Sequence, residues 1–137
     1  MFGKMDWTLY PSRGFAMILQ EIGEKLGPDE LYRIGYENGI MNGEEILKAS
    51  GVKLKGGWIS LQIVLALLDF IGYGNVKFVK SELKNDGHHH FIIHVVNNPI
   101  VEHAKEMYGE KSLVCYFIAG LFSGHGEIEL GVKKMRI

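Results

Sequence analysis

SLVCYFIAGLFSG, residues 112–124, holds the chain's single cysteine and repeats small residues at helical spacing. Cys115 and Ala119 are four apart, and so are Gly120 and Gly124. Residues four apart on an α-helix lie one above the other. The segment therefore reads as a helix with two smooth strips beside a bulky set, Leu113, Tyr116, Phe117, Leu121 and Phe122. Each interior glycine weakens a helix by roughly 1 kcal/mol relative to alanine. Something has to offset that loss, and two readings are open: close approach of another helix, or the wall of an apolar pocket. Cys115, set between bulky apolar neighbours, reads as a buried and unreactive thiol.

The same device recurs upstream. Pro28 and Asp29 open a predicted helix that runs to about Ala49, and within it Gly35, Gly39 and Gly43 fall four apart. Placed in one row between Leu31 and Leu47, they predict a groove for a neighbouring helix, either within the fold or across a dimer axis. The alternative is a helix break near Asn42-Gly43. Ahead of this helix, Phe15, Ile18, Leu19, Ile22 and Leu26 recur at spacings of three and four, which predicts a helix from Ser12 that Gly27 stops. MDWTLY, residues 5–10, predicts a short strand closed by Pro11.

Between the two glycine-bearing segments lies a predicted helix from Trp58 to Ile71. It is apolar nearly all round and is expected to be the central buried helix. The loop before it, Lys53 to Gly57, lacks the spacing of a phosphate-binding loop. VKFVKSELKNDGHHHFIIHVV then predicts a β-hairpin about Asn85-Asp86-Gly87, with Phe91, Ile93 and Val95 on one face. Asn97-Asn98-Pro99 starts another helix through about Tyr108; Gly109 ends it and Ser112 caps the next. After Gly126, the alternation of Ile128, Leu130 and Val132 predicts a final strand. The sum is an α+β chain, about five helices with a small antiparallel β-sheet, read as one domain over residues 1–137.

Composition narrows the function. Hydrophobic residues make up 47% and charged residues 23% of the 137, ordinary values for a globular protein. A formal net charge of −1 gives no case for nucleic acid or a membrane surface as partner. One cysteine excludes an intramolecular disulfide and points to a reducing compartment. The start lacks the pattern of a signal peptide, and the longest apolar run, interrupted by Gln62 and Asp69, falls short of the ~20 residues that span a bilayer. The expected location is cytoplasmic.

Candidate chemistry is sparse. His88 and His90 share a strand face and could chelate a metal, but His94 is ~13 Å from His90 at ~3.3 Å per residue, and a zinc site needs three or four ligands. The other reading is a solvated hairpin tip. His103 stands beside Glu102 and Glu106, as an ion-pair face or, alternatively, a haem or metal ligand. No nucleophilic triad or dinucleotide fingerprint is present, so no catalytic residue is assigned.

Taken in order, GPDELYRIGYENGI, IGYGNVKFVKSELKNDG, HFIIHVVNNP and SLVCYFIAGLFSG resemble the 4-vinyl-reductase-type domain over roughly residues 14 to 131. The resemblance implies a fold shared with TRAPP vesicle-tethering subunits and, distantly, with haem-based nitric-oxide sensors (the nitric-oxide-signalling and Golgi-transport ligand-binding fold). It implies a small-molecule module, of the predicted hydrocarbon-binding kind, that dimerises. Such domains occur alone in archaea and as sensory domains of bacterial activators that respond to aromatic compounds. In those sensors a zinc ion is held by the cysteine of the glycine helix, a glutamate and two cysteines of a following hairpin. Cys115 matches the first ligand and no second cysteine exists. The sequence reaches Ile137 where the first strand of that hairpin is expected, so the family's Cys-rich hairpin is taken to be missing and its sheet edge completed by a partner or left exposed.

The function expected from all this is non-catalytic binding of a small apolar ligand by a homodimer. Leu65, Leu68, Tyr116, Phe117, Ala119 and Gly120 are the candidate pocket wall, and Gly35, Gly39 and Gly43 the close-packing or dimer row. No cofactor is assigned. Two alternatives stand beside it: a structural or interaction protein of TRAPP type, and a tetrapyrrole-related reductase or haem sensor with His103 as axial ligand.

Overall fold

The computed structural model describes residues 6–50, 72–83, 85 and 89–130, together with 62, 63, 65, 66, 69 and 70. Helix α1 (Ser12–Leu26) buries Ala16, Leu19, Gln20 and Gly23; of the stripe expected from the spacing only Leu19 is fully buried, Phe15 and Ile22 are partly buried against the core, and Ile18 and Leu26 are exposed. It ends at Gly27, whose φ of 92° suits glycine and few other residues. Helix α2 (Pro28–Ser50) starts at once, with Asp29 and Glu30 in its first turn, where negative charge complements the helix dipole. It runs unbroken through Asn42 and Gly43. Its outer face is solvated, and there Arg33 Nη1 donates to Glu37 at 2.6 Å and a second pairing joins Arg33 to Glu30.

The six described residues between 62 and 70 are helical and are called α3. The hairpin follows: β1 (Asn75–Leu83) pairs antiparallel with β2 (His89–Val96). The register runs from Asn75↔Val96 to Leu83↔His89 and shifts between Phe78 and Lys80, skipping Val79. On the inward face Val76, Ile93 and Val95 lean on the core; outward, Lys77 stands opposite His94. Asn98 then caps α4 (Pro99–Tyr108): its Oδ1 accepts from Ile100 N at 3.0 Å and Val101 N at 3.1 Å, and its Nδ2 donates to the Tyr73 carbonyl at 2.8 Å. One buried amide so ties the turn before β1 to the helix after β2. A 3-10 turn, η1 (Gly109–Lys111), leads to α5 (Val114–Leu130).

The architecture is α+β, with a two-stranded antiparallel sheet among the described residues. Four expectations are corrected. Residues 6–10 form no strand and are exposed; the described strands pair with one another, and an extended segment with no ladder partner is not a strand. Residues 127–130 continue α5 as helix. The alternation of Ile128 and Leu130 is too short to outweigh helix-favouring Glu127 and Glu129 once Ile128 packs on α2 at Gly43. Helix α3 is not the buried centre, since Leu65 is its one buried residue among those described, while Ile63 is 49% and Phe70 78% exposed. That place belongs to α5, where residues 120 to 126 are buried without interruption. Ser112 lies two residues ahead of the start of α5 rather than at its cap. The loop 53–57, residues 58–61 and His88 lie outside the described residues.

Candidate functional site

The two glycine rows meet each other. A Cβ on Gly35 would overlap the carbonyl oxygen of Phe117, and one on Gly39 that of Leu121. From the other side, Cβ atoms on Gly120 and Gly124 would overlap the carbonyl oxygens of Tyr32 and Tyr36. Each helix thus presses its bare Cα positions against the other's carbonyls, close enough for Cα–H···O contacts. Gly43 is looser: a Cβ there would stand 3.3 Å from Ile128 side-chain atoms and 3.5 Å from His125 Nδ1. The row on α2 is therefore turned to α5 of its own chain.

Extending the period past Gly124 places His125 four residues after Leu121, on a face already committed to the core. It is 1% exposed, and neither ring nitrogen has a hydrogen-bond partner. Burial lowers its pKa to about 4, so at neutral pH the ring is uncharged, with one N–H donor and one acceptor. Leaving a buried polar group unmet costs about 1–3 kcal/mol, which makes this the most conspicuous side chain in the interior. One carboxylate oxygen of Glu127, Oε2, is also buried without a partner. Ending the helix near Gly124 hid His125 from the sequence reading; the spacing from Leu121 was the signal.

Gln20 was also missed. It is 2% exposed; its Nε2 donates to the Lys111 carbonyl at 3.0 Å and its Oε1 accepts from Leu113 N at 2.8 Å. The amide pins the entry of α5 to α1, on a stripe where periodicity alone asks for an apolar side chain.

The candidate wall residues are dispersed. The Phe117 ring stands edge-on to Phe15 of α1, with centroids 5.8 Å apart, and Gly120 faces α2. Leu65 is buried, Ala119 half-buried and Tyr116 45% exposed; Leu68 lies outside the described residues. Cys115 is exposed, which corrects the buried thiol expected from its neighbours: in the first turn of α5, Val114 and Phe117 face the core while Cys115 and Tyr116 lie on the outer side. His90 pairs with Glu82 across the hairpin, His94 is exposed, and His103 Nδ1 approaches Glu106 at 3.5 Å on a partly solvated face. Among the described residues no group of three His, Cys, Asp or Glu is placed to hold a metal ion. Nor is any helix among them long and apolar enough to cross a membrane.

Fold and site together define an α+β domain built around a glycine-locked helix pair. No protein-family model matches the sequence, and no curated protein matches it. Among solved structures the chain is similar to the phenol-responsive sensory domain of the transcription activator PoxR, determined with phenol, at a TM-score of 0.67 and 19% identity. The match covers 94% of this chain and 66% of that one, so this chain spans about two thirds of that domain's length. At this identity the likeness establishes a shared fold.

Proposed function

We propose that the chain is a non-catalytic module that binds or senses a small apolar or aromatic molecule, is of the 4-vinyl-reductase type, and works as a cytoplasmic homodimer. The observation that carries this reading is the match of nearly the whole chain, 94%, to a domain described as phenol-responsive. A buried, unpartnered imidazole on α5 supports it. The expected site is a cavity of ~300–1,000 Å³ with few polar groups. Leu65 and Ala119 suit its wall best, Leu68 and Tyr116 being the next candidates; Phe117 and Gly120 contribute by fixing α5 rather than by facing a guest. With Cys115 exposed, zinc is left out of the proposal.

The test is native mass spectrometry of the purified protein, with a thermal-shift panel of phenol, toluene and fatty acids and light scattering for the dimer. The reading expects one molecule bound per chain and a saturable rise in Tm, since ligand at 100 times its Kd adds about 2.7 kcal/mol. No bound mass and a flat panel would reject it.

A second reading has its own support. Gly35, Gly39, Gly120 and Gly124 are each filled by the opposing backbone, so helix packing accounts for both rows without a ligand, as in a TRAPP-like interaction protein. A flat panel together with a stable dimer would favour it.

A further inference from the structure

We infer that the outer side of α1, with the segment leading into it, is the surface through which two copies of this chain pair antiparallel about a twofold axis near Met17. This rests on the homodimer reading above and deepens it by naming the interface, since the glycine rows that could have served are spent inside the chain. Helix α1 carries apolar residues over a wider arc than its own chain covers. Ala16, Leu19, Gln20 and Gly23 are buried and α1 packs on α4, α2 and α5, while Met17 and Ile18 stand open on the opposite side. Ahead of them the Tyr10 ring lies on the bare backbone of Gly14, where a Cβ would stand 3.1 Å from its Cε1. Trp7 and Leu9 lead up to that ring. These five large side chains are 43% to 98% exposed.

Residue type, area and charge together point to a second copy as the occupant. Trp7, Tyr10, Arg13 and Met17 are of the kinds enriched at protein interfaces. A side chain of this size presents ~200 Å² when fully open, so the five offer about 600 Å², the upper end for the largest apolar patch on a monomer. Two copies joined through it would bury about 1,200 Å², the lower bound for a specific pair. Arg13, Met17 and Glu21 fall four apart on one ridge of the helix, and all three are exposed. A twofold contact is reciprocal, so with Met17 on the axis each Arg13 stands beside the partner's Glu21. There it joins an exposed pair, Glu21 with Lys25 at 3.7 Å. Parallel pairing would instead set Arg13 against Arg13 and Glu21 against Glu21, which like charges oppose.

Sedimentation of the full chain across a concentration series reads the dimer constant, with circular dichroism to show that each variant is folded. Met17→Glu sets two carboxylates together at the axis and should weaken the dimer roughly a hundredfold. Arg13→Glu should weaken it roughly tenfold, and adding Glu21→Arg to that variant should restore it to within about threefold. Phe70→Ser, on the other open apolar side, should leave it unchanged. A wild-type dimer untouched by Met17→Glu and Arg13→Glu would overturn this inference alone and leave the homodimer reading standing. So would a double variant no tighter than Arg13→Glu, or a dimer lost through Phe70→Ser. A wild type that stays monomeric throughout would overturn the homodimer reading and this inference with it. If that monomer co-sediments with phosphatidylcholine vesicles, the surface belongs to a membrane and the inference is equally overturned.

Discussion

At the α2–α5 crossing, four glycines meet four carbonyl groups with no room for a methyl group. Across α3 and the hairpin, apolar side chains stand in water: Phe70 is 78%, Val79 56% and Ile92 51% exposed. The two regions differ in what fills the contact. In the crossing, backbone contact leaves no slack, so it admits one register. On the hairpin side, Val76, Ile93 and Val95 lean on the core while Val79 and Ile92 are exposed, and a two-stranded sheet, which is what the described residues form, is marginal by itself. Stability should therefore be concentrated in the crossing.

Substitution at the tightest glycines separates the regions most strongly. Gly124→Ala and Gly120→Ala each drive a methyl group into a backbone carbonyl. Overpacking should outweigh the ~1 kcal/mol gained in helix propensity, for a net loss of about 3 kcal/mol in urea denaturation. Gly43→Ala, whose neighbours are side-chain atoms at 3.3 and 3.5 Å, should lie near neutral. Equal losses at all three would break the comparison.

Acid should act on the same region. His125 is held to about 4 by burial, below the ~6.5 of an unfolded histidine. Between those values the unfolded chain takes up a proton that the folded one refuses, so its share of stability is complete above about pH 6.5 and falls as the pH drops toward 4. The loss amounts to roughly 3 kcal/mol, and His125→Leu should flatten that part of the curve. Smaller again, Gln20→Leu leaves the Lys111 carbonyl and the Leu113 N–H unmet, for about 2 kcal/mol. Asn98→Ala removes the cap of α4 and should cost about 1 kcal/mol. Phe70→Ser and Ile92→Thr, on the open side, should stay within about 0.5 kcal/mol.

The rows of glycine were legible because a spacing of four needs nothing but the sequence. That they would meet one another was not legible, since a row states that something comes near without saying what. The buried centre was misplaced for a related reason. Hydropathy credits Leu, Ile and Phe between 58 and 71, whereas glycine, serine and histidine in α5 carry little apolar weight and are buried by backbone contact. Cys115 followed the same error in reverse, an apolar neighbourhood in sequence whose Cys115 and Tyr116 lie on the outer side of α5 while Val114 and Phe117 face the core. His125 and Gln20 escaped because a buried polar side chain interrupts the pattern by which burial is read. The hairpin and the start of α4 after Asn97-Asn98-Pro99 were plain, resting on local turn and helix-start signals.

Native-state hydrogen exchange, read amide by amide, tests the concentration of stability most directly. The amides of residues 35–43 and 117–126 should open only with global unfolding, while those of β1 and β2 exchange through far smaller openings. Hairpin amides protected as strongly as those of α5 would contradict the account.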